Sequence, residues 1–293
     1  MSDRFVCSLL QPGPRAVSGQ HLLEAVRARV QPLGLPAALL QDGSGDEPVL
    51  LQVGPAVVSL VPMAFPVDGE SLARALPTAS SRPEVKKSAE THRAHVIVAC
   101  LNQGKDNSQA VLFATITTLV AAAAQGPLAA SAAYWLSGQI LMPPSALDDA
   151  ARSLLEKELP VANWVSLQWF VQPDTDGHDR FGAVSVGATD FIGREIELLP
   201  SAMTNADIAQ KIYTTLLYLL VYEAKIKDGD TLGESESTSG ILRVRLLDRG
   251  LVHRGPVMQL QLEVVAPAPA QQPAAAHQAS GKTQPAFGKR GRS

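Results

Sequence analysis

Glu195 and Glu197 stand two apart in the apolar stretch "REIELLP". Paired carboxylates can ligate a metal or divide acid and base work between them. In a strand both would point to one face, with Ile196 and Leu198 on the other. No histidine or third acid lies at a telling distance, and antiparallel sheets commonly wet one face. The pair is therefore expected on the wet face of a sheet, with a metal or acid–base role as the alternative.

Two further clusters carry side chains of the right type. "HRAHVIVAC" places His92 and His95 three apart, with Cys100 beyond. On a helix the imidazoles would share a face as zinc ligands do, but the β-branched run from Val96 predicts a strand, where this spacing sends them to opposite faces. No metal site is expected, and His95 reads as buried and hydrogen-bonded. "KDGDTLGESES" offers Asp228 and Asp230, yet it fails the ligand spacing of a calcium loop after Asp230. A helix end and a turn, with Gly229 and Gly233 at positive φ, is the simpler reading. Tyr134, Trp135, Trp164, Trp169 and Phe170 could line a pocket, but such large rings read first as core. No G-x-S-x-G, phosphate-binding glycine–lysine loop or G-x-G-x-x-G occurs. No catalytic residue is assigned and no cofactor is expected.

The elements that must position these residues follow from periodicity. "RFVCSLLQ" reads as a strand, and "SGQHLLEAVRARV" as a helix capped by Ser18 with Leu22, Leu23, Val26 and Val30 inward. "PVLLQV" and "AVVSLVPMAF" form a hairpin about Gly54 and Pro55, followed by a short helix, "GESLARAL". Residues 77–90 are polar and proline-bearing, a linker or surface loop. The order then repeats: a strand at "AHVIVACL", a buried helix at "NSQAVLFATITTLVAAAA" opened by Asp106 or Asn107, a strand "AAYWLSGQILM" broken at Gly138, and a helix capped by Ser145 with Asp148. Strands at "NWVSLQWFVQP", "FGAVSVGAT" and "REIELLP" come next. The helix "TNADIAQKIYTTLLYLLVYEAK", capped by Thr204 with Asp207, precedes two alternating strands, "ILRVRLLD" and "PVMQLQLEVV". The fold class is α+β with mostly antiparallel sheets and packed helices. The β-α-β-β-α order of both halves raises duplicated ferredoxin-like units. The domains are an N-terminal lobe at 1–76, the segment 77–90, a main domain at 91–265 and a tail at 266–293.

Composition bounds the function. With 293 residues, 46% of them hydrophobic, the chain can bury a sizeable core without disulfide or metal staples. Cys7 and Cys100 sit in separate apolar runs, which fits free thiols in a reducing compartment. The first residues do not read as a signal peptide, and "VLFATITTLVAAAA" is shorter than the roughly 20 residues a membrane helix needs. A cytoplasmic location is expected, with no membrane span. The tail, rich in Ala, Pro and Gln, reads as disordered, and its four basic residues leave −7 on the body. That charge argues against a nucleic-acid groove in the body and favours another protein as partner.

"MAFP", "HRAHVIVAC", "AAYWLSGQILMPPSAL", the "EIEL" strand and "KDGDTLG" occur in an order that resembles the bacterial family of domain of unknown function 4261, over about residues 50–235. The resemblance implies weight on His95, Trp135, Glu195, Glu197, Asp228, Gly229 and Asp230, and brings no mechanism. Two functions stay open. One is a non-enzymatic binding or accessory protein, serving for instance a secretion or toxin-immunity locus. The other is a hydrolase or metal-dependent enzyme using Glu195, Glu197, Asp228 and His95. Convergence of those four side chains on one pocket would favour the enzyme.

Overall fold

A computed structural model describes residues 4–263 apart from 16, 44–46, 102–106, 108, 175 and 234–240. Residues 266–293, read above as a disordered tail, and Asp106 lie outside the described residues. The first half comprises β1 (Val6–Gln11), α1 (Gly19–Val30), β2 (Ala37–Gln41), β3 (Val49–Val53), β4 (Ala56–Met63), α2 (Gly69–Ala75) and α3 (Pro83–Thr91). Then come β5 (Ala94–Cys100), α4 (Ala110–Gln125), β6 (Ala132–Trp135), β7 (Ile140–Met142), α5 (Pro144–Leu155) and α6 (Val161–Trp164). The remainder holds β8 (Ser166–Pro173), β9 (Asp179–Val186), α7 (Thr189–Ile192), β10 (Glu195–Ser201), α8 (Asn205–Val221), β11 (Thr231–Leu232), β12 (Ile241–Leu247) and β13 (Val257–Glu263).

The strands form two sheets, and the fold is α+β. The first has seven strands in the order β2-β3-β4-β5-β1-β6-β7, each pairing antiparallel. The second has six, β11-β12-β13-β10-β9-β8, antiparallel except where β10 runs parallel to β13. Nothing in the first order supports paired ferredoxin-like units. The two halves interleave, with β1 between β5 and β6, so both repeats of the element order contribute to one sheet.

The first sheet is covered on both faces, which is why every residue of β1 is buried. On one side α4 packs against β1, β5, α1 and α5. Its mean character is apolar all round, and 13 of its residues are buried, so it behaves as the core helix its sequence predicts. On the other side Leu72, Ala75, Val85 and Ala89 of α2 and α3 meet Leu10, Tyr134 and Leu141. Residues 83–91 are thus a helix rather than the expected loop: Val85 and Ala89, four apart, supply a narrow apolar face, and Pro83 starts the turn.

Local signals set several boundaries. The Ser18 hydroxyl accepts from His21 N at 3.3 Å, and Gly54 makes the β3–β4 turn at φ +53. Thr204 accepts from Asp207 N at 3.2 Å and donates to the Asp207 carboxylate at 2.7 Å, opening α8. That helix buries Ile208, Ile212 and Leu216 against β9 and β10, each burial stabilising by roughly 1.5–3 kcal/mol. Two expected caps are corrected. The cap position of α4 is Gln109, without a side-chain bond, and α5 begins at Pro144, so Ser145 lies inside it. Proline at the first helical position needs no N–H partner, which removes the need for a serine cap.

The sheets meet at a close backbone contact. Gly138, in the β6–β7 turn, lies so near α6 that a Cβ there would stand 2.2 Å from the Trp164 carbonyl oxygen. Gly187, at φ +102 after β9, packs on Gly138 itself. A row of rings, Trp135, Trp164, Phe191 and Phe5, runs through the same junction with centroids 6.4, 5.5 and 5.0 Å apart. No helix among the described residues is long and apolar enough to cross a membrane.

Candidate functional site

Strand β10 opens just after α7, which Gly193 ends at φ +76. Alternation then places Ile196 and Leu198 in the core and turns Glu195 and Glu197 to the other face. That face is not wet. Glu195 is 5% exposed and Glu197 0%, which corrects the sequence-based expectation. Two loops cover it, and the carboxylates hold those loops.

Glu195 accepts five hydrogen bonds. The Ser185 hydroxyl donates at 2.5 Å, the N–H groups of Gly187, Ala188 and Thr189 at 3.0, 3.1 and 3.2 Å, and the Thr189 hydroxyl at 2.9 Å. Ser185 Oγ in turn accepts from Ile196 N at 2.7 Å. A carboxylate offers about four lone-pair directions, so this one is fully engaged. Glu197 serves the β12–β13 loop: it accepts from Leu251 N at 2.8 Å, Val252 N at 3.0 Å and the Gln259 amide at 2.9 Å. Burial by itself would raise the Glu197 pKa, but the bonds from Val252, Gln259 and Leu251 outweigh it and hold the carboxyl below its ordinary value. Gly250 is required for this approach, because a Cβ there would stand 2.6 Å from Glu197 Oε1.

The remaining sequence candidates lie elsewhere. His92 and His95 both grip the segment between β4 and α2. Val67 N–H donates to His92 Nε2 at 2.8 Å, which leaves the proton on Nδ1 to donate to the Ala89 carbonyl at 2.7 Å. His95 is buried at the start of β5, with Nδ1 bonded to the Phe65 carbonyl at 2.9 Å. Burial lowers its pKa and outweighs the Phe65 bond, which raises it. Trp135 is buried in the aromatic row. Asp228 is exposed, accepting from Leu246 N at 2.8 Å beside Arg245 at 3.5 Å, and Asp230 accepts from Lys227 N at 2.7 Å. With Gly229 at φ +87 these residues make the expected turn, although α8 has already ended at Val221.

Glu195, Glu197, His95 and Asp228 thus bind four separate backbone segments, and no hydrogen bond joins any two of them among the described residues. No group of three His, Cys, Asp or Glu side chains suited to a metal occurs among the described residues. Of the five aromatics read as core, Tyr134, Trp135 and Trp164 are buried, Phe170 is partly covered and Trp169 is exposed.

One polar feature had no local signal. Arg4, just before β1, reaches α7, donating to the Asp190 carbonyl and to Asn107 Oδ1 at 2.7 Å. Its Nε stands 3.7 Å from the Asp190 carboxylate. The two residues are 186 positions apart, so no spacing rule could pair them.

No curated protein and no solved structure matches the chain. One family does, over part of it. The matched stretch takes in Glu195, Glu197 and the Asp228–Asp230 turn, and leaves His95, Trp135 and the earlier motifs outside. Residues 184–260, from the end of β9 to the middle of β13, match the uncharacterised bacterial family described as domain of unknown function (DUF4261).

Proposed function

We propose that the protein is a cytoplasmic, non-enzymatic binding protein that docks another protein at the C-terminal end of α8. The observation that carries this reading is a contiguous exposed apolar patch there. Tyr218, Val221 and Tyr222 are 44%, 55% and 74% exposed, and the two tyrosine rings lie 5.7 Å apart. Tyrosines are enriched at interfaces because they bury much area while keeping a hydroxyl for water. A groove of about 570 Å³ beside them is lined by apolar residues such as Leu219, Ile226 and Met258 and by the charged Arg194, Glu223 and Lys225. Exposed patches of this kind mark interaction surfaces more often than scattered single residues do.

The compartment is supported by Cys7 and Cys100, both buried and neither in a disulfide. An accessory role at a secretion or toxin-immunity locus would be one such partnership. The test is affinity capture from native lysate with the parent and with Tyr218→Ala/Tyr222→Ala, quantified by mass spectrometry. A partner recovered with the parent and at least tenfold depleted with the variant, at equal melting temperature, supports the reading. Equal recovery of every captured protein refutes the surface.

A further inference from the structure

A second cavity, of about 540 Å³, lies at the junction of the two sheets, away from α8. Arg4, Arg74, Tyr134, Ser137, Gln139 and Asp190 line it. Its size suits a small molecule, but its walls are polar where most ligand sites are largely apolar. Two of its polar atoms, Ser137 Oγ and Asp190 Oδ2, are shielded from solvent and have no hydrogen-bond partner among the described residues. Burial raises the Asp190 pKa, and the neighbouring Ser137 hydroxyl and Arg4 guanidinium oppose that shift. Buried polar atoms are normally satisfied, so a pair left open toward one cavity calls for a donor to fill it.

Asp190 stands in the first turn of α7, and Glu195 holds the chain leading into that turn. Glu195 takes the N–H groups of Gly187, Ala188 and Thr189, which immediately precede Asp190. The clamp described above therefore positions one wall of this cavity. Arg74 also lines the cavity, and its ion pair among the described residues is with Glu70 one turn earlier on α2, both side chains being well exposed. Such exposed pairs contribute little and exchange readily for another anion. The Tyr134 hydroxyl makes a single long bond, donating to the Ser71 carbonyl at 3.4 Å.

An exposed cation together with a buried carboxylate oxygen and a buried hydroxyl defines a ligand with an anionic end and a donor end. Arg4 does not add a second free cation, because it is committed to Asn107 and Asp190. An aspartate facing inward would repel a phosphate dianion, whereas it would attract an ammonium group. We propose that this cavity binds a small zwitterion of the α-amino-acid class, with its carboxylate on Arg74 and its ammonium on Asp190 and Ser137.

The test is calorimetric titration of the full chain with each of the twenty common α-amino acids and, separately, with inorganic phosphate. At least one amino acid is expected to bind. Arg74→Ala and Ser137→Ala should each raise its Kd about tenfold or more, the factor that follows from losing one hydrogen bond of roughly 1.4 kcal/mol. The N-acetylated form of the same amino acid, which lacks the ammonium, should also bind about tenfold or more weakly. Circular dichroism melts of both variants establish that they fold. Binding of phosphate but of no amino acid, no binding up to millimolar concentrations, or affinity unchanged in both variants would overturn the proposal.

Discussion

Replacing Glu195 with glutamine changes one oxygen to an NH2 group and almost nothing in volume, so its effect isolates the hydrogen bonding. Three of the five donors converge on Oε1 and two on Oε2. The amide will therefore put its nitrogen at the Oε2 position, where it faces the Ser185 hydroxyl and the Ala188 N–H. The hydroxyl can turn to accept, although Ser185 Oγ is already taken by Ile196 N. The Ala188 N–H has no such freedom and is left buried against another donor, which costs about 1–3 kcal/mol. Losing the charge weakens the three bonds that survive, and the combined loss is about 3 kcal/mol. A residue on a wet face would change stability by only about 0.5 kcal/mol. With a urea dependence of about 3 kcal/mol/M, the midpoint should fall by about 1 M. Hydrogen exchange gives the location: the amides of Gly187, Ala188 and Thr189 should lose protection, and those of Leu251 and Val252 should keep it. A midpoint unchanged within about 0.2 M would refute the clamp.

Other consequences follow from the same geometry. Because the Glu197 carboxyl is held below its ordinary value of 4.5, the unfolded chain takes up a proton first as pH falls. Stability from this group is thus present above that value and lost as pH drops through the lower folded value, and acid melts of Glu197→Gln should lack that component. His95 has the same sign at higher pH: burial lowers its pKa from 6.5, so its contribution is complete above 6.5 and declines below it, a slope that proton-detected titration of the imidazole can assign. Gly138→Ala should destabilise by about 2–3 kcal/mol in denaturant melts, because the new methyl meets the Trp164 carbonyl, a backbone atom that cannot swing aside. Gly177→Ala, at φ +79 in open space, should cost only about 1 kcal/mol of backbone strain. Burial pushes the Cys7 and Cys100 thiols up to about 12 and about 11, so neither should react with iodoacetamide at pH 8 until the chain is unfolded.

What the sequence made legible was local. The Thr204–Asp207 cap, the Ile208–Ile212–Leu216 stripe, the turn at Gly54 and the apolar run of α4 each declare themselves within a few residues, and each stands in the structure. The helix at 83–91 escaped because two small apolar residues in a polar stretch give too short a pattern to outweigh its charges. The sheet order escaped for a different reason. Element order repeats in both halves, but which strand lies beside which depends on α4 and on the pairing of β1 with β5, a contact across about ninety residues that no local pattern encodes.

The carboxylates were misread for a reason that concerns backbone rather than side chains. With no lysine or arginine placed to neutralise them, Glu195 and Glu197 look as if only water could satisfy them. Yet five of their eight partners are main-chain N–H groups, which composition never displays. Preorganised N–H groups solvate a buried anion at no cost in side-chain entropy, provided the chain can approach closely enough. That proviso leaves a mark in the sequence. Gly187 and Gly250 stand where the two loops come down on the sheet, and a side chain at Gly250 would collide with the carboxylate it helps to hold. The readable sign of a buried, backbone-solvated glutamate was therefore the glycines of the covering loops. It follows that Gly250→Ala should mimic Glu197→Gln in raising exchange at Leu251 and Val252, although it leaves the carboxylate in place. Unchanged protection at those two amides would show that the loop does not depend on its close approach to Glu197.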